Sequence, residues 1–164
     1  MTNENYNYVK AMLYCYPHLK TLCAALEDSI LNKAVLSFRY DTLAAAERIT
    51  EEIFLKNAIA RLENDLTKLL RELKCEERYL LDYKYFHKKG AEVPLCFSER
   101  SYYRRQHALL ASLRARLIAC GWTEEAYLNR FKESVFFMKV YKAVCDGEER
   151  KIVNRRAKKT LSVS

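Results

Sequence analysis

Apolar residues recur at helical spacing through most of the chain. Leu19, Leu22, Cys23, Leu26 and Ile30 lie three or four residues apart, the period of one helical face. Pro17 suits the first turn ahead of them, where its missing N–H goes unused. The polar cluster around Ser37 and Asp41 reads as a turn, with Asp41 or Thr42 as the next N-cap. Ile59, Leu62, Leu66, Leu69 and Leu73 then repeat at 3, 4, 3, 4, a coiled-coil-like seam. Residues 42–73 as one helix would be about 48 Å long at 1.5 Å per residue, more than the width of a compact domain of this size. The segment is therefore expected either to fold back as a hairpin or to pair with a second copy.

A further helix is expected from Cys75 to Phe86, followed by the breaker-containing stretch HKKGAEVPLCF. Ser98 is placed to cap a strong helix through about Ala119, with Leu109, Leu113 and Leu117 on its inner side. Gly121 fits the left-handed position that ends it. Thr123 caps a last helix whose apolar positions include Leu128, Phe131, Val135 and Met138, with Gly147 as its close. The final 17 residues contain RKIVNRRAKK and are expected to be frayed without a partner.

Composition supports an all-α fold. Three glycines and two prolines in 164 residues cannot supply the turn about every ten residues that a sandwich or barrel needs. No two glycines lie closer than 26 residues, so no glycine-rich nucleotide loop is available. Half of the residues are apolar, enough for a sizeable core. The expected architecture is a helical bundle: a long helical hairpin over residues 1–74, a helix-turn-helix-like unit plus C-terminal helix over 75–147, and a basic flexible tail over 148–164. The N-terminus carries no secretory pattern and no apolar run is long enough to span a bilayer, so a cytoplasmic protein is expected. The six cysteines are far apart and without nearby histidine pairs, which reads as small, mostly buried hydrophobes.

Charge changes the picture. The excess of 29 basic over 21 acidic residues is concentrated. Residues 84–116 hold eight basic and two acidic groups, and residues 147–164 hold six and two, whereas 41–83 are net acidic. Such a distribution is either the footprint of a polyanion binder or a solvated basic face. The stretch SERSYYRRQHALLASLRARL places Arg100, Tyr103, Arg104 and His107 on one helical face and its leucines on another. Arginines and an aromatic near a helix N-terminus suit base edges and phosphates.

The run CEERYLLDYKYF followed by FSERSYYRRQHALLASL resembles region 4 of sigma-70-type RNA polymerase subunits, and in particular the region-4-like helix-turn-helix of phage-type ArpU and RinA regulators from Gram-positive bacteria. The residues that carry the resemblance are Glu77, Arg78, Leu80, Leu81, Tyr85 and Phe86, then Ser98, Arg100, Ser101, Tyr103 and Arg104. It covers residues 75–117, about a quarter of the chain. The family has a short supporting helix between these segments; here the intervening stretch contains Gly90 and Pro94, so that helix must be very short or absent. The resemblance implies a transcription regulator that reads duplex DNA. Arg100, Tyr103, Arg104 and His107 would meet the major groove, Lys84, Lys88, Lys89, Arg105, Arg114 and Arg116 would lie near phosphates, and Ser98 opens this DNA-binding helix. The acidic, leucine-rich segment 42–73 would serve a homodimer or contact RNA polymerase.

Enzymatic chemistry finds little support in the sequence. His18, His87 and His107 are isolated, and no nucleophile or metal motif occurs, so no cofactor is expected. The adjacent pairs Glu51–Glu52 and Glu76–Glu77 read as solvated. The twelve tyrosines read as core-edge residues, or alternatively as a stacking surface for single strands. The other functional reading is a non-enzymatic helical module, such as a phage accessory protein, whose basic regions meet an acidic protein.

Overall fold

The computed structural model describes residues 5–39, 42–86 and 98–161, apart from the side chains of Phe38 and residues 155–161. The protein is all-α: among the described residues there are seven α-helices and no strand. They are α1 (Asn7–Cys15), α2 (Leu19–Leu36), α3 (Thr42–Arg71), α4 (Cys75–Lys84), α5 (Glu99–Ala119), α6 (Glu124–Phe131) and α7 (Val135–Leu161), with short 3-10 segments at Tyr16–His18 and Ser37–Arg39. None of the described helices is long and apolar enough to cross a membrane. Pro17 stands at the start of the first 3-10 segment, just ahead of α2.

The core forms around α1, a short helix with a wide apolar arc. Tyr8, Val9, Ala11, Met12, Leu13 and Cys15 are all buried. At about 100° per residue they cover more than half of its circumference. α1 packs along α7 and against α5. One cluster of buried side chains joins α1 to the C-terminal half of α3, to α4 and α5, and to the aromatic group Trp122, Tyr127, Phe131 and Phe137.

α3 is a single 30-residue helix with α2 packed along it. Its leucine seam turns inward: Ile59, Leu62 and Leu66 are essentially unexposed, and Leu69 and Leu70 are buried beside them. The face considered for a homodimer through 59–73 is thus occupied by the chain's own core. The α2–α3 contact is mostly at the core edge and is reinforced by charge. Lys56 pairs with Glu27 at 2.5 Å. Glu52 is bound by Lys33 and accepts from Ser29 Oγ at 3.2 Å, so it is not a solvated carboxylate.

The α5–α6 corner follows its punctuation. The Gly121 N–H donates to Ile118 O at 2.9 Å and the Trp122 N–H donates to Leu117 O at 2.8 Å, the paired bonds of a Schellman close. Gly121 holds φ at 83°, where a Cβ is strained. Gly121→Ala is expected to lower stability by about 1–2 kcal/mol, with α5 and α6 otherwise intact; a urea denaturation midpoint equal to wild type would contradict this. Thr123 Oγ1 caps α6 by accepting from the Ala126 N–H at 3.1 Å.

The C-terminal expectations need correction in two places. The last helix is two helices, broken at residues 132–134, with Ser134 O accepting the first bond of α7 from the Met138 N–H at 3.1 Å. Phe131 and Phe137 explain the break. Their rings stack nearly parallel with centroids 4.0 Å apart, whereas six residues along one helix would separate them by about 9 Å of rise and about 120° around the axis. Gly147 does not close α7, which continues through it to Leu161. Glu148, one residue on, is held by Lys10 of α1 at 3.0 Å and by Lys151 at 2.9 Å, which anchors the helix beyond the glycine. The segment read as a frayed tail is therefore helical backbone as far as Leu161.

Candidate nucleic-acid interface

Helix α5 begins where its cap dictates. Ser98 has extended backbone angles, and its Oγ accepts from the Ser101 N–H at 3.3 Å. Ser98 is therefore a capping residue, which sets where the first turn starts and which way the following side chains point. The inner face of α5 buries Leu109, Leu110, Leu113 and Leu117, together with one polar residue, Gln106. The Gln106 amide is satisfied at both ends: its Oε1 accepts from Lys84 Nζ at 2.8 Å, and its Nε2 donates to the Tyr102 hydroxyl at 2.9 Å. This connection fixes α5 against the end of α4. Gln106 was legible as an inner position, because it precedes Leu109, Leu110 and Leu113 at helical spacing.

Both edges of α5 are tied down. On one, Arg105 donates to Glu76 Oε2 at 2.8 Å and Arg116 pairs with Glu72. These acids stand at the start of α4 and just past the end of α3. Glu77 meanwhile caps α4, its Oε2 accepting from the Lys74 N–H at 3.0 Å. On the other edge, His107 meets the Tyr6 ring edge-on at 5.2 Å, and the Arg114 guanidinium lies 6.0 Å from the centre of the same ring. Arg105, Arg114 and Arg116, expected near phosphates, thus make intramolecular contacts. Lys84 is half-buried against Gln106 rather than displayed.

Arg105 and His107 stay exposed despite these contacts. Arg100, Tyr103 and Arg104 are exposed, and neither arginine has an ion-pair partner among the described residues. Tyr103 packs edge-on against Tyr102, which in turn meets Tyr83, at centroid separations of 5.4 and 6.4 Å. Tyr79, Tyr83 and Tyr103 are exposed, while Tyr6, Tyr8, Tyr85 and Tyr127 belong to the core. His87, Lys88, Lys89 and the stretch expected to hold or lack a supporting helix lie outside the described residues.

Other chemistry is sparse. Among the described residues no group of three or more His, Cys, Asp or Glu side chains is placed to hold a metal ion. Of the described cysteines only Cys15 is fully buried, and burial pushes its thiol up to about 12; Cys75 is exposed. Compared with known proteins, the chain matches no family model, no curated protein and no solved structure.

Proposed function

We propose that the protein is a DNA-binding transcription regulator that reads duplex DNA with the outer face of α5, as the resemblance of residues 75–117 to sigma region-4-like regulators suggests. The observation that carries this reading is the division of charge on α5. Arg105 and Arg116 are engaged by acids of the neighbouring helices, whereas Arg100 and Arg104 stand outward beside the exposed Tyr103, near the helix N-terminus. Paired edges make a rigid mount, and outward arginines one turn apart suit guanine edges or phosphates.

Fluorescence anisotropy on a panel of duplexes, at two salt concentrations, tests it. Arg104→Ala is expected to leave the fold intact and to cost about 1–3 kcal/mol at a preferred site, relaxing selectivity at one base position. Adding Arg100→Ala should deepen the loss and flatten the dependence of affinity on salt. No duplex binding at about 50 mM salt, or binding indifferent to the double substitution, overturns the reading.

A specific feature favours the second reading, a non-enzymatic interaction module. The half of the α2–α3 pair nearest its connection exposes large apolar side chains: Leu31, Val35, Leu43 and Phe54 are each more than 60% exposed. Clustered apolar exposure of this kind marks protein contact surfaces. Under that reading Leu43→Glu with Phe54→Glu abolishes partner capture without touching duplex binding.

A further inference from the structure

A cleft of about 410 Å³ opens between α1, the end of α4 and the middle of α7. It is the place where the two basic stretches of the chain meet, through Lys84 from one and Lys151 from the other, with Lys10 of α1 between them. Among the described residues that line it, one carboxylate, Glu148, balances three ammonium groups, so their formal charge is +2. That carboxylate is shared, since Lys10 and Lys151 both reach its Oε1, at 3.0 and 2.9 Å. Lys84 donates to a neutral amide oxygen, on Gln106 at 2.8 Å, and its Nζ stands 5.4 Å from the centre of the Tyr85 ring; no carboxylate among the described residues pairs with it.

Two further features mark the cleft as built for an occupant. The Tyr85 side chain lines it and is only 2% exposed, yet its hydroxyl has no hydrogen-bond partner among the described residues. A buried hydroxyl left unsatisfied is destabilising and rare. Gly147 forms part of the α7 wall, in mid-helix, where glycine lowers helix stability. It is not there for a left-handed conformation or a close backbone approach, since a Cβ would meet nothing within 4 Å. What the missing side chain leaves is room. The remaining wall is apolar or aromatic: Val140, Val144 and the Tyr14 ring, whose centroid is 4.8 Å from that of Tyr85.

We propose that this cleft is a binding site for a small organic oxyanion, a carboxylate or phosphate group borne on an apolar body, with the oxyanion at Lys84 Nζ and the body against Val140, Val144 and Tyr14. The inference is independent of the duplex-reading face, which lies on the outer side of α5. Protonation states in the cleft favour it near neutral pH. Burial, with Lys151 and Lys10 nearby, lowers Lys84 to about 8, so it carries a proton at pH 7 and loses it within the accessible range. Burial raises both Tyr85 and Tyr14, so both phenols stay protonated there. Burial alone would raise Glu148, but the hydrogen bonds from Lys151 and Lys10 outweigh it and hold the carboxyl below its ordinary range.

Isothermal titration of the full-length chain with phenyl phosphate, benzoate and inorganic phosphate tests the proposal. Saturable one-to-one binding of phenyl phosphate or benzoate supports it, and whichever binds more tightly assigns the anion class. Lys84→Met, which keeps the aliphatic stem, should weaken binding by about tenfold or more. Gly147→Leu, a substitution favourable to helix in open space, should abolish it with circular dichroism unchanged. Affinity should also fall between about pH 7 and pH 9 in wild type as Lys84 loses its proton. No saturable binding of any of the three probes, or binding that survives both substitutions, overturns the proposal.

Discussion

Replacing Leu66 with lysine is expected to abolish cooperative folding rather than to release a folded monomer. Leu66 is fully buried at the centre of the α3 seam, flanked by Leu62 one turn back and by Leu69 and Leu70 one turn on, all of them in the core. An ammonium group there has neither water nor a carboxylate, and the loss of at least about 4 kcal/mol is comparable to the whole stability of an average domain. Leu66→Ala removes the packing without adding a charge. It should cost about 2–5 kcal/mol and leave a folded protein with a lowered melting temperature. Circular dichroism melts combined with sedimentation distinguish the alternatives, because a dimer seam would give a folded monomeric Leu66→Lys protein. The exposed apolar residues of α3, Leu43 and Phe54, lie in its N-terminal half, away from this seam.

The same helix shows what could be read from the chain in advance. A 3–4 repeat states that a face is apolar, but not what covers it. For residues 59–73 the cover comes from the rest of the core, to which α2, α5 and α6 bring the neighbours of α3, and none of these partners is named by the repeat itself. Caps and terminators were legible for a local reason. Ser98, Thr123 and Gly121 act within three or four residues of themselves, and each does in the structure what its position implies. Gly147 was misread because glycine has two uses in helical segments: a left-handed close, or simply space, and only the surrounding tertiary structure tells them apart.

Charges were the least legible. Helical spacing correctly placed Arg100, Tyr103 and Arg104 on an outward face of α5. It could not show that Arg105 and Arg116 meet Glu76 and Glu72, because those acids are 29 and 44 residues away in the chain. Sequence distance likewise hid the meeting of Lys10, Lys84 and Lys151 around one glutamate. The net charge of a stretch is therefore a poor guide to its free charge. On α5, among the described residues, Arg105 and Arg116 are neutralised by neighbouring helices while Arg100 and Arg104 are not.

Trp122→Ala should lower the melting temperature by about 10 °C or more, corresponding to a loss of about 3–5 kcal/mol. Trp122 stands in the α5–α6 corner, wholly buried, and does several jobs at once. Its ring stacks parallel to Phe131 at 6.0 Å, continuing the stack to Phe137, so it ties the corner to the start of α7. Its indole N–H donates to Asp65 Oδ2 at 2.8 Å, which joins the corner to α3. Two guanidinium groups lie over the ring, Arg130 at 4.4 Å and Arg61 at 5.7 Å. Removing the indole leaves a large cavity and deprives the Asp65 carboxylate of its donor, with Arg61 remaining 3.8 Å away as an incomplete substitute. Trp122→Phe separates the contributions: it keeps an aromatic ring in the stack but has no N–H, so it should recover most of the loss and retain a deficit of about 1–2 kcal/mol. Pairing it with Asp65→Ala completes a double-mutant cycle. The coupling should be close to that deficit if the hydrogen bond accounts for it, and near zero if ring shape alone does. An alanine variant that melts within a degree or two of wild type would show that the corner is not held by this residue, and that α6 and α7 are anchored through α1 instead.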